Sequence, residues 1–319
     1  MLRNALSLGF NDNLLDVSNK RFTERKGDLW KEMKQGEFPD LLDDSNLPIG
    51  ALEEAKKQVI SLIRATEKSY VLDNFLGKTG SPQVINLKIS DSGKNREFRF
   101  NNHDADDIYH SWFILNQLRN IESPQPLICE IGGGYGGVAA KIKKNIPNSK
   151  IIIFDLPEVN VAQSYYLSQE FKGQNFLGYS DFLERENSII KEEFDFLILP
   201  GWTISELLED NSVDTFINIR SMMEMNFETI KKYFYFIQDK ITINGYLVNI
   251  NRYLKKTVGH DIKLGEYPYD DKWDIILSKQ SEFQNQIHQL FTRRCKENNK
   301  SISNELNSIN AFTNKNFIN

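Results

Sequence analysis

A chain of 319 residues with 40% apolar and 12% aromatic content can bury a sizeable core in one large domain or two modest ones. Its net charge of −5 argues against a general nucleic-acid binder, which needs a basic face to neutralise phosphates. No run approaches the roughly 20 apolar residues of a membrane span, and two cysteines, Cys129 and Cys295, make neither a disulfide framework nor a zinc pattern.

The start, Met1 to Asn13, has neither the apolar run nor the cleavage pattern of a signal peptide, so a cytoplasmic protein is expected. Residues 1–120 read as a mainly helical region: 28–33 and 52–63 place apolar residues at helical spacing. Within it, 84–89 and 97–100 alternate around Ser90-Asp-Ser-Gly-Lys-Asn95, the composition of a β-hairpin. Residues 106–119 form an amphipathic pattern with an acidic first turn, closed by Ser123-Pro-Gln-Pro126.

From Leu127 the periodicity changes to short buried runs between helical patterns, the signature of a parallel sheet with crossover helices. Strands are expected at 127–131, 150–154, 194–199, 213–219 and 245–250, and helices at 136–145, 158–171, 203–209 and 226–240. Lys141, Lys143 and Lys144 are expected on a wet helix face. The stretch 173–192 reads as an insertion over the active-site edge, 273–278 as a further strand and 280–296 as a further helix. Residues 298–319 are rich in Asn and Ser and read as partly disordered. The division expected is 1–120, a helical region with a small hairpin; 121–296, a cofactor-binding domain; and 297–319, a polar tail.

The chemistry concentrates in Leu127-Ile-Cys-Glu-Ile-Gly-Gly-Gly-Tyr-Gly-Gly137, an apolar strand that breaks into a glycine-rich turn. Gly132, Gly134 and Gly137 satisfy G-x-G-x-x-G, the dinucleotide pattern. Glu130, Gly132, Gly134 and Gly136 satisfy E-x-G-x-G-x-G, the pattern of S-adenosylmethionine-dependent methyltransferases. Asp155, ending the next strand about 20 residues on, stands where doubly wound folds bind ribose hydroxyls in either case. Glu130 tips the choice: a carboxylate repels a pyrophosphate and attracts a sulfonium and an amino group.

Glu130-Ile-Gly-Gly-Gly-Tyr-Gly-Gly, Phe154-Asp-Leu-Pro-Glu, Leu199-Pro-Gly-Trp, Phe216-Ile-Asn-Ile-Arg-Ser-Met-Met-Glu-Met and Val248-Asn-Ile-Asn-Arg, in this order, resemble the sugar O-methyltransferase family of bacterial surface-polysaccharide and natural-product clusters. The likeness covers roughly residues 100–290. It implies an α/β fold, a doubly wound Rossmann-like class I methyltransferase sheet preceded by a mainly helical N-terminal region. It implies S-adenosyl-L-methionine as cofactor, with Glu130, Gly132, Gly133, Gly134 and Tyr135 at its amino-acid end and Asp155 with Leu156 at the ribose. Pro200, Gly201 and Trp202 would border the adenine, although Trp202 equally fits ordinary core packing. Asn218 ends the fourth strand beside the cofactor, and Arg220, Arg252 and Tyr253 are candidates to bind the acceptor.

Methyl transfer to a hydroxyl needs a group that removes its proton. Glu224, in the loop after the fourth strand, is the first candidate, although plant-type relatives carry histidine in the corresponding loop. His103 and His110 are the next, His260 with Asp261 a weaker pair, and His288 is discounted. Asp104, Asp106 and Asp107 form an acidic cluster, as do Asp270 and Asp271, but neither makes a convincing metal site, so none is expected. Tyr267, Tyr269 and Trp273 offer faces for a sugar or for the core. The reading is an O-methyltransferase acting on a sugar, nucleotide-sugar or glycosylated small molecule, with no nucleic-acid partner, no membrane span and a possible homo-oligomer. The alternatives are an NAD(P)-dependent oxidoreductase and a noncatalytic Rossmann-like binding protein.

Overall fold

A computed structural model of the chain describes residues 51–75, 85–91, 94–100, 102–119, 121–256 and 260–318. The helix expected over 28–33 and the side chain of His103 lie outside the described set. The described residues fall into two compact units.

The first unit holds the described residues up to Asn116 together with 134–145 and 161–172. Helix α1 (Ala51–Ala65) precedes the short α2 (Lys68–Asp73). Strands β1 (Ile85–Asp91) and β2 (Lys94–Phe100) pair antiparallel from Ile85↔Phe100 to Asp91↔Lys94, the hairpin that the alternation predicts. Helix α3 (Asn102–Leu118) starts one turn before its predicted boundary and buries Ile108, Tyr109, Ile114 and Leu115. Helix α4 (Gly137–Asn145) corrects two thirds of the expected wet lysine face: Lys144 is exposed, but Lys141 and Lys143 are only 4% and 2% exposed. Lys141 Nζ donates to Asp104 Oδ1 at 2.7 Å, so the buried ammonium has a buried carboxylate partner.

The second unit is built on an eight-stranded sheet. Its strands are β3 (Leu127–Ile131), β4 (Lys150–Asp155), β5 (Phe176–Leu177), β6 (Phe196–Pro200), β7 (Val213–Ile219), β8 (Ile241–Arg252), β11 (Trp273–Gln280) and β12 (Ile287–Arg294). The order is β11-β12-β8-β7-β3-β4-β6-β5. From β5 to β8 all neighbours are parallel, whereas β12 runs antiparallel to both β8 and β11. Chain order reverses between β3 and β7, so the carboxyl ends of β3, β4 and β7 open onto the switch point where such sheets bind ligands. This is the doubly wound, Rossmann-like class I methyltransferase sheet, with a reversed strand inserted beside its last hairpin partner.

Helix α5 (Pro157–Glu170) follows β4. The stretch 173–192 folds as β5, α6 (Tyr179–Arg185) and a 3-10 turn, extending the sheet rather than forming a plain loop. Helices α7 (Ile204–Leu207) and α8 (Phe227–Lys240) follow β6 and β7. Asn226 caps α8 by accepting from Thr229 N–H at 2.9 Å. A two-residue pair, β9 (Leu254–Lys255) and β10 (Ile262–Lys263), follows β8.

Two expectations at the carboxyl end are corrected. Residues 287–294, expected in a helix, form β12, buried at every position but Arg293. A strand buried on both faces has no period of two to read, so it passes for a short helical run. The expected partly disordered tail is helix α9 (Ser301–Phe317), which buries Ile302, Leu306, Ile309 and Thr313. Those positions recur at helical spacing and form one stripe inside a polar composition. The helix comes so close to Gly265 that a Cβ there would lie 2.5 Å from the Asn310 side chain.

Among the described residues, no helix is long and apolar enough to cross a membrane.

Candidate cofactor and acceptor site

In the sheet unit, β3 delivers Glu130 and the first two glycines of the turn. Glu130 is 3% exposed. Its carboxylate folds back over the turn: a Cβ on Gly133 would lie 3.0 Å from Glu130 Oε2 and 2.9 Å from Ile153 Cγ2. Gly132 has φ +76°, and a Cβ there would lie 2.2 Å from Ser221 Cβ, so both backbone conformation and space demand glycine. Its N–H donates to Phe154 O at 2.8 Å, tying the turn to β4.

The rest of the turn belongs to the first unit. Gly134 has φ +58° with open space where a Cβ would point, and Gly136 has φ +96°. The left-handed glycines are therefore 132, 134 and 136, the three of the E-x-G-x-G-x-G pattern. Tyr135 donates its hydroxyl to Asp107 Oδ2 at 2.6 Å, and its ring meets Tyr166 edge-on. His110 is 4% exposed, and burial pushes it down to about 4, so it is a neutral interior group. That burial does not suit a base that must reach an acceptor.

Back in the sheet unit, Asp155 ends β4 opposite Pro200, the last residue of β6. Asp155 Oδ1 accepts from Leu156 N–H at 2.8 Å. Leu156 and Trp202 are 53% and 57% exposed, so the core-packing alternative for Trp202 does not hold; its ring meets Tyr179 edge-on. Gly201 leaves room for Tyr233, whose hydroxyl would lie 2.5 Å from a Cβ on that glycine. Tyr233, on α8, carries no motif that marks it in the sequence.

The ends of β7 and β8 carry a buried amide ladder. Asn218, Asn249 and Asn251 are each 0% exposed. Asn251 Nδ2 donates to Asn218 Oδ1 at 2.9 Å and to Asn249 Oδ1 at 2.6 Å. Asn218 Nδ2 donates to Ile131 O at 2.8 Å, and Asn218 Oδ1 also accepts from Met222 N–H at 3.2 Å. Asn251 Oδ1 accepts from Met223 N–H at 3.3 Å, and Ser221 Oγ donates to Ile131 O at 2.8 Å. The ladder fastens the 3-10 turn Met222–Glu224 to the strand that carries the glycine turn. Sequence reasoning found Asn218 and missed Ser221, Asn249 and Asn251. Two asparagines at strand spacing in Val248-Asn-Ile-Asn-Arg were the available signal, since buried amides require partners.

Glu224 rides on that turn and pairs with Lys255 Nζ, its side chain 32% exposed. Arg220 holds a left-handed backbone, φ +62°, with its N–H donating to Ile250 O at 2.8 Å. Burial and the neighbouring Arg252 push the Arg220 guanidinium down to about 10, against the opposing pull of Glu224. Arg220, Glu224, Arg252 and Lys255 thus form one charged group at the carboxyl ends of β7 and β8 and in the segments that follow them.

Tyr253 does not face an open acceptor site. It is 4% exposed and stacks on Phe317, and its hydroxyl meets His288 Nδ1 at 2.8 Å. His288 Nε2 in turn lies 2.8 Å from Ser278 Oγ, which donates to Glu305 Oε1 at 2.5 Å. Trp273, at 0%, and Tyr267, at 2%, are likewise core rather than sugar platforms. Asp270 accepts from Arg294, and the exposed His260 stands beside Asp261.

Burial pushes His288 from 6.5 down to about 4. The unfolded chain then binds more protons than the folded one between those values, so stability falls as pH drops through that window. Lowering pH from 7 to 5 is expected to cost about 2 kcal/mol at this residue. Urea unfolding of the protein and of His288→Gln at both pH values checks this: the variant should lose less stability than the parent, and equal losses would refute the buried neutral histidine.

The acidic, glycine-lined end of the sheet fits a cationic cofactor with ribose hydroxyls. Glu130 suits an ammonium and a sulfonium, and Asp155 suits the hydroxyls. The profile of the O-methyltransferase domain family matches residues 75–186. No curated protein matches the sequence. Among solved structures, the chain is similar to mitomycin 7-O-methyltransferase at 13% identity and TM-score 0.38, covering 60% of this chain and 57% of that one. The pyocyanin biosynthetic protein PhzM is similar at 10% identity and TM-score 0.37, with 60% and 57% covered. Human N-acetylserotonin methyltransferase, solved with S-adenosylmethionine, is similar at 14% identity and TM-score 0.35, with 60% and 55% covered. The matches span little more than half the length of these three proteins, and the fold assignment rests on the strand order itself. Residues 75–186 thus match the O-methyltransferase domain family, and the strand order is that of a doubly wound, Rossmann-like sheet.

Proposed function

We propose that the protein is an S-adenosylmethionine-dependent O-methyltransferase that methylates a hydroxyl of a sugar or glycosylated small molecule. The observation that carries this reading is Glu130, a buried carboxylate folded over a turn whose left-handed glycines are those of the E-x-G-x-G-x-G pattern. The match to the O-methyltransferase domain supports it. The sugar acceptor is supported by the ordered strand-end motifs alone. The surroundings of that acceptor would be surface-polysaccharide or natural-product biosynthesis, in the cytoplasm.

The cofactor supplies an electrophilic methyl group when bound. Glu130, Gly132 and Gly133 would hold its amino-acid end, Asp155 and Leu156 its ribose, and Pro200, Gly201 and Trp202 its adenine. The chain's remaining task is to orient the acceptor hydroxyl and take its proton as the new C–O bond forms. Glu224 takes it, held in place by the turn that Asn218 and Asn251 anchor and by its ion pair with Lys255.

Glu224→Gln keeps the shape and removes the basic oxygen. It is expected to slow methyl transfer about 100-fold or more while leaving affinity for S-adenosylhomocysteine unchanged. Retention of the full rate would remove Glu224 from the mechanism. The oxidoreductase alternative is tested by calorimetry with NAD(P)H, which the acidic turn is expected to reject.

A further inference from the structure

We propose that Tyr233 is a further cofactor-binding residue, its phenol hydroxyl donating to a ribose hydroxyl that in turn donates to Asp155. The proposal rests on the methyltransferase reading and adds to that site a residue from helix α8. Ile230, Phe234 and Ile237 are each 0% exposed and seat α8 on the core of the sheet unit. They recur at helical spacing as one apolar stripe, and Tyr233, half-buried, stands at its edge. A tyrosine in that place packs its ring against the core, and Tyr233 does so. Its hydroxyl needs a different account.

That hydroxyl lies against the turn that follows β6. A Cβ on Gly201 would lie 2.5 Å from Tyr233 Oη but 3.8 Å from Tyr233 Cζ, so the glycine makes room for the hydroxyl and not for the ring. Thr203 Oγ1 donates to Pro200 O at 2.8 Å and closes the 3-10 turn Gly201–Thr203, which fixes the approach. The same Cβ position is 3.8 Å from Asp155 O, and parallel pairing sets Asp155 beside Pro200. Tyr233 and Asp155 therefore share the edge where β4 and β6 end. The hydroxyl makes no hydrogen bond among the described residues, to Asp155 or to any other. Burial, and after it the Asp155 carboxylate, raise the phenol above its ordinary value, so at neutral pH it keeps its proton and can donate. Together the two groups complement a ribose hydroxyl. A carboxylate only accepts, whereas a hydroxyl donates one proton and accepts at two lone pairs, so Asp155 alone leaves the accepting side unmet. A phenol within electrostatic reach of that carboxylate, but not bonded to it, supplies the missing donor.

Calorimetric titration of the full chain and of Tyr233→Phe with S-adenosylhomocysteine, and with its 2′-deoxy and 3′-deoxy analogues, tests the proposal. Tyr233→Phe keeps the packed ring and removes one hydroxyl, so the melting temperature without ligand should stay that of the parent. Affinity for S-adenosylhomocysteine should fall about tenfold, the upper end for one hydrogen bond between neutral groups. At least one of the deoxy analogues should bind parent and variant alike, because it lacks the hydroxyl that Tyr233 contacts. That comparison among ligands decides the matter even where the variant melts lower. Equal affinity of parent and variant for S-adenosylhomocysteine, or a loss of the same size with all three ligands, would overturn the ribose contact. Failure of the parent to bind S-adenosylhomocysteine at all would instead overturn the methyltransferase reading.

Discussion

Asp155→Ala is expected to lower affinity for S-adenosylhomocysteine about 100-fold while moving the melting temperature by no more than a few degrees. Asp155 is the last residue of β4, opposite Pro200 of β6, at the carboxyl edge beside the chain reversal of the sheet. Its Oδ1 accepts from Leu156 N–H at 2.8 Å, a local bond that fixes the side chain's direction. Neutral hydroxyls donating to a fixed carboxylate contribute about 1.5–3 kcal/mol each, and two such bonds at the lower bound correspond to about 100-fold. The fold loses little, because the residue is half-buried at a strand end and its neighbours Phe154 and Ile153 carry the core. Calorimetric titration of the variant beside the parent decides it. Unchanged affinity would leave the sheet a fold without the proposed cofactor site.

What the sequence disclosed and what it hid follow from how local each signal is. The glycine turn was legible because backbone conformation demands its residues: Gly132 and Gly134 adopt left-handed φ, which few other residues tolerate. The central strands were legible because buried parallel strands read as apolar runs bounded by turns. Lys141 and Lys143 were misread as solvated, since nothing nearby in sequence says that Asp104, on another helix, neutralises one of them. Strand β12 and helix α9 were misread for opposite reasons, the first having no polar face and the second having a short apolar stripe diluted by Asn and Ser. Trp202 could not be assigned from its type, because an aromatic after a strand packs inward or stands open with equal ease; here it is open. Tyr253 looked available because it follows a strand end, but His288 and Phe317 are brought onto it from segments far along the chain. The amide ladder was half legible: its spacing shows in β8, and its meaning depends on the register that sets Asn218 opposite Asn249.

That ladder carries the second large expected effect. Asn218→Ala is expected to cost about 4 kcal/mol of folding stability and to slow methyl transfer more than it weakens cofactor binding. The substitution removes the acceptor of Met222 N–H and of Asn251 Nδ2, and the donor to Ile131 O, at a site that is 0% exposed. A buried group left without its partner costs about 1–3 kcal/mol, and the vacated volume adds a cavity term. Two or three such losses consume a large part of the roughly 5–15 kcal/mol that holds a domain together. The catalytic consequence follows from the same bonds. The turn Met222–Glu224 is tied down through Met222 N–H to Asn218 and Met223 N–H to Asn251, so loosening either end lets Glu224 wander from the acceptor. A double-mutant cycle with Asn251→Ala separates the ladder from two independent packing losses. Because the two side chains share a bond at 2.9 Å, the double variant should lose at least about 1 kcal/mol less than the sum of the single ones. Strict additivity in urea unfolding, or a methyl-transfer rate that stays at the parent value in Asn218→Ala, would show that the amides fill space without positioning the turn.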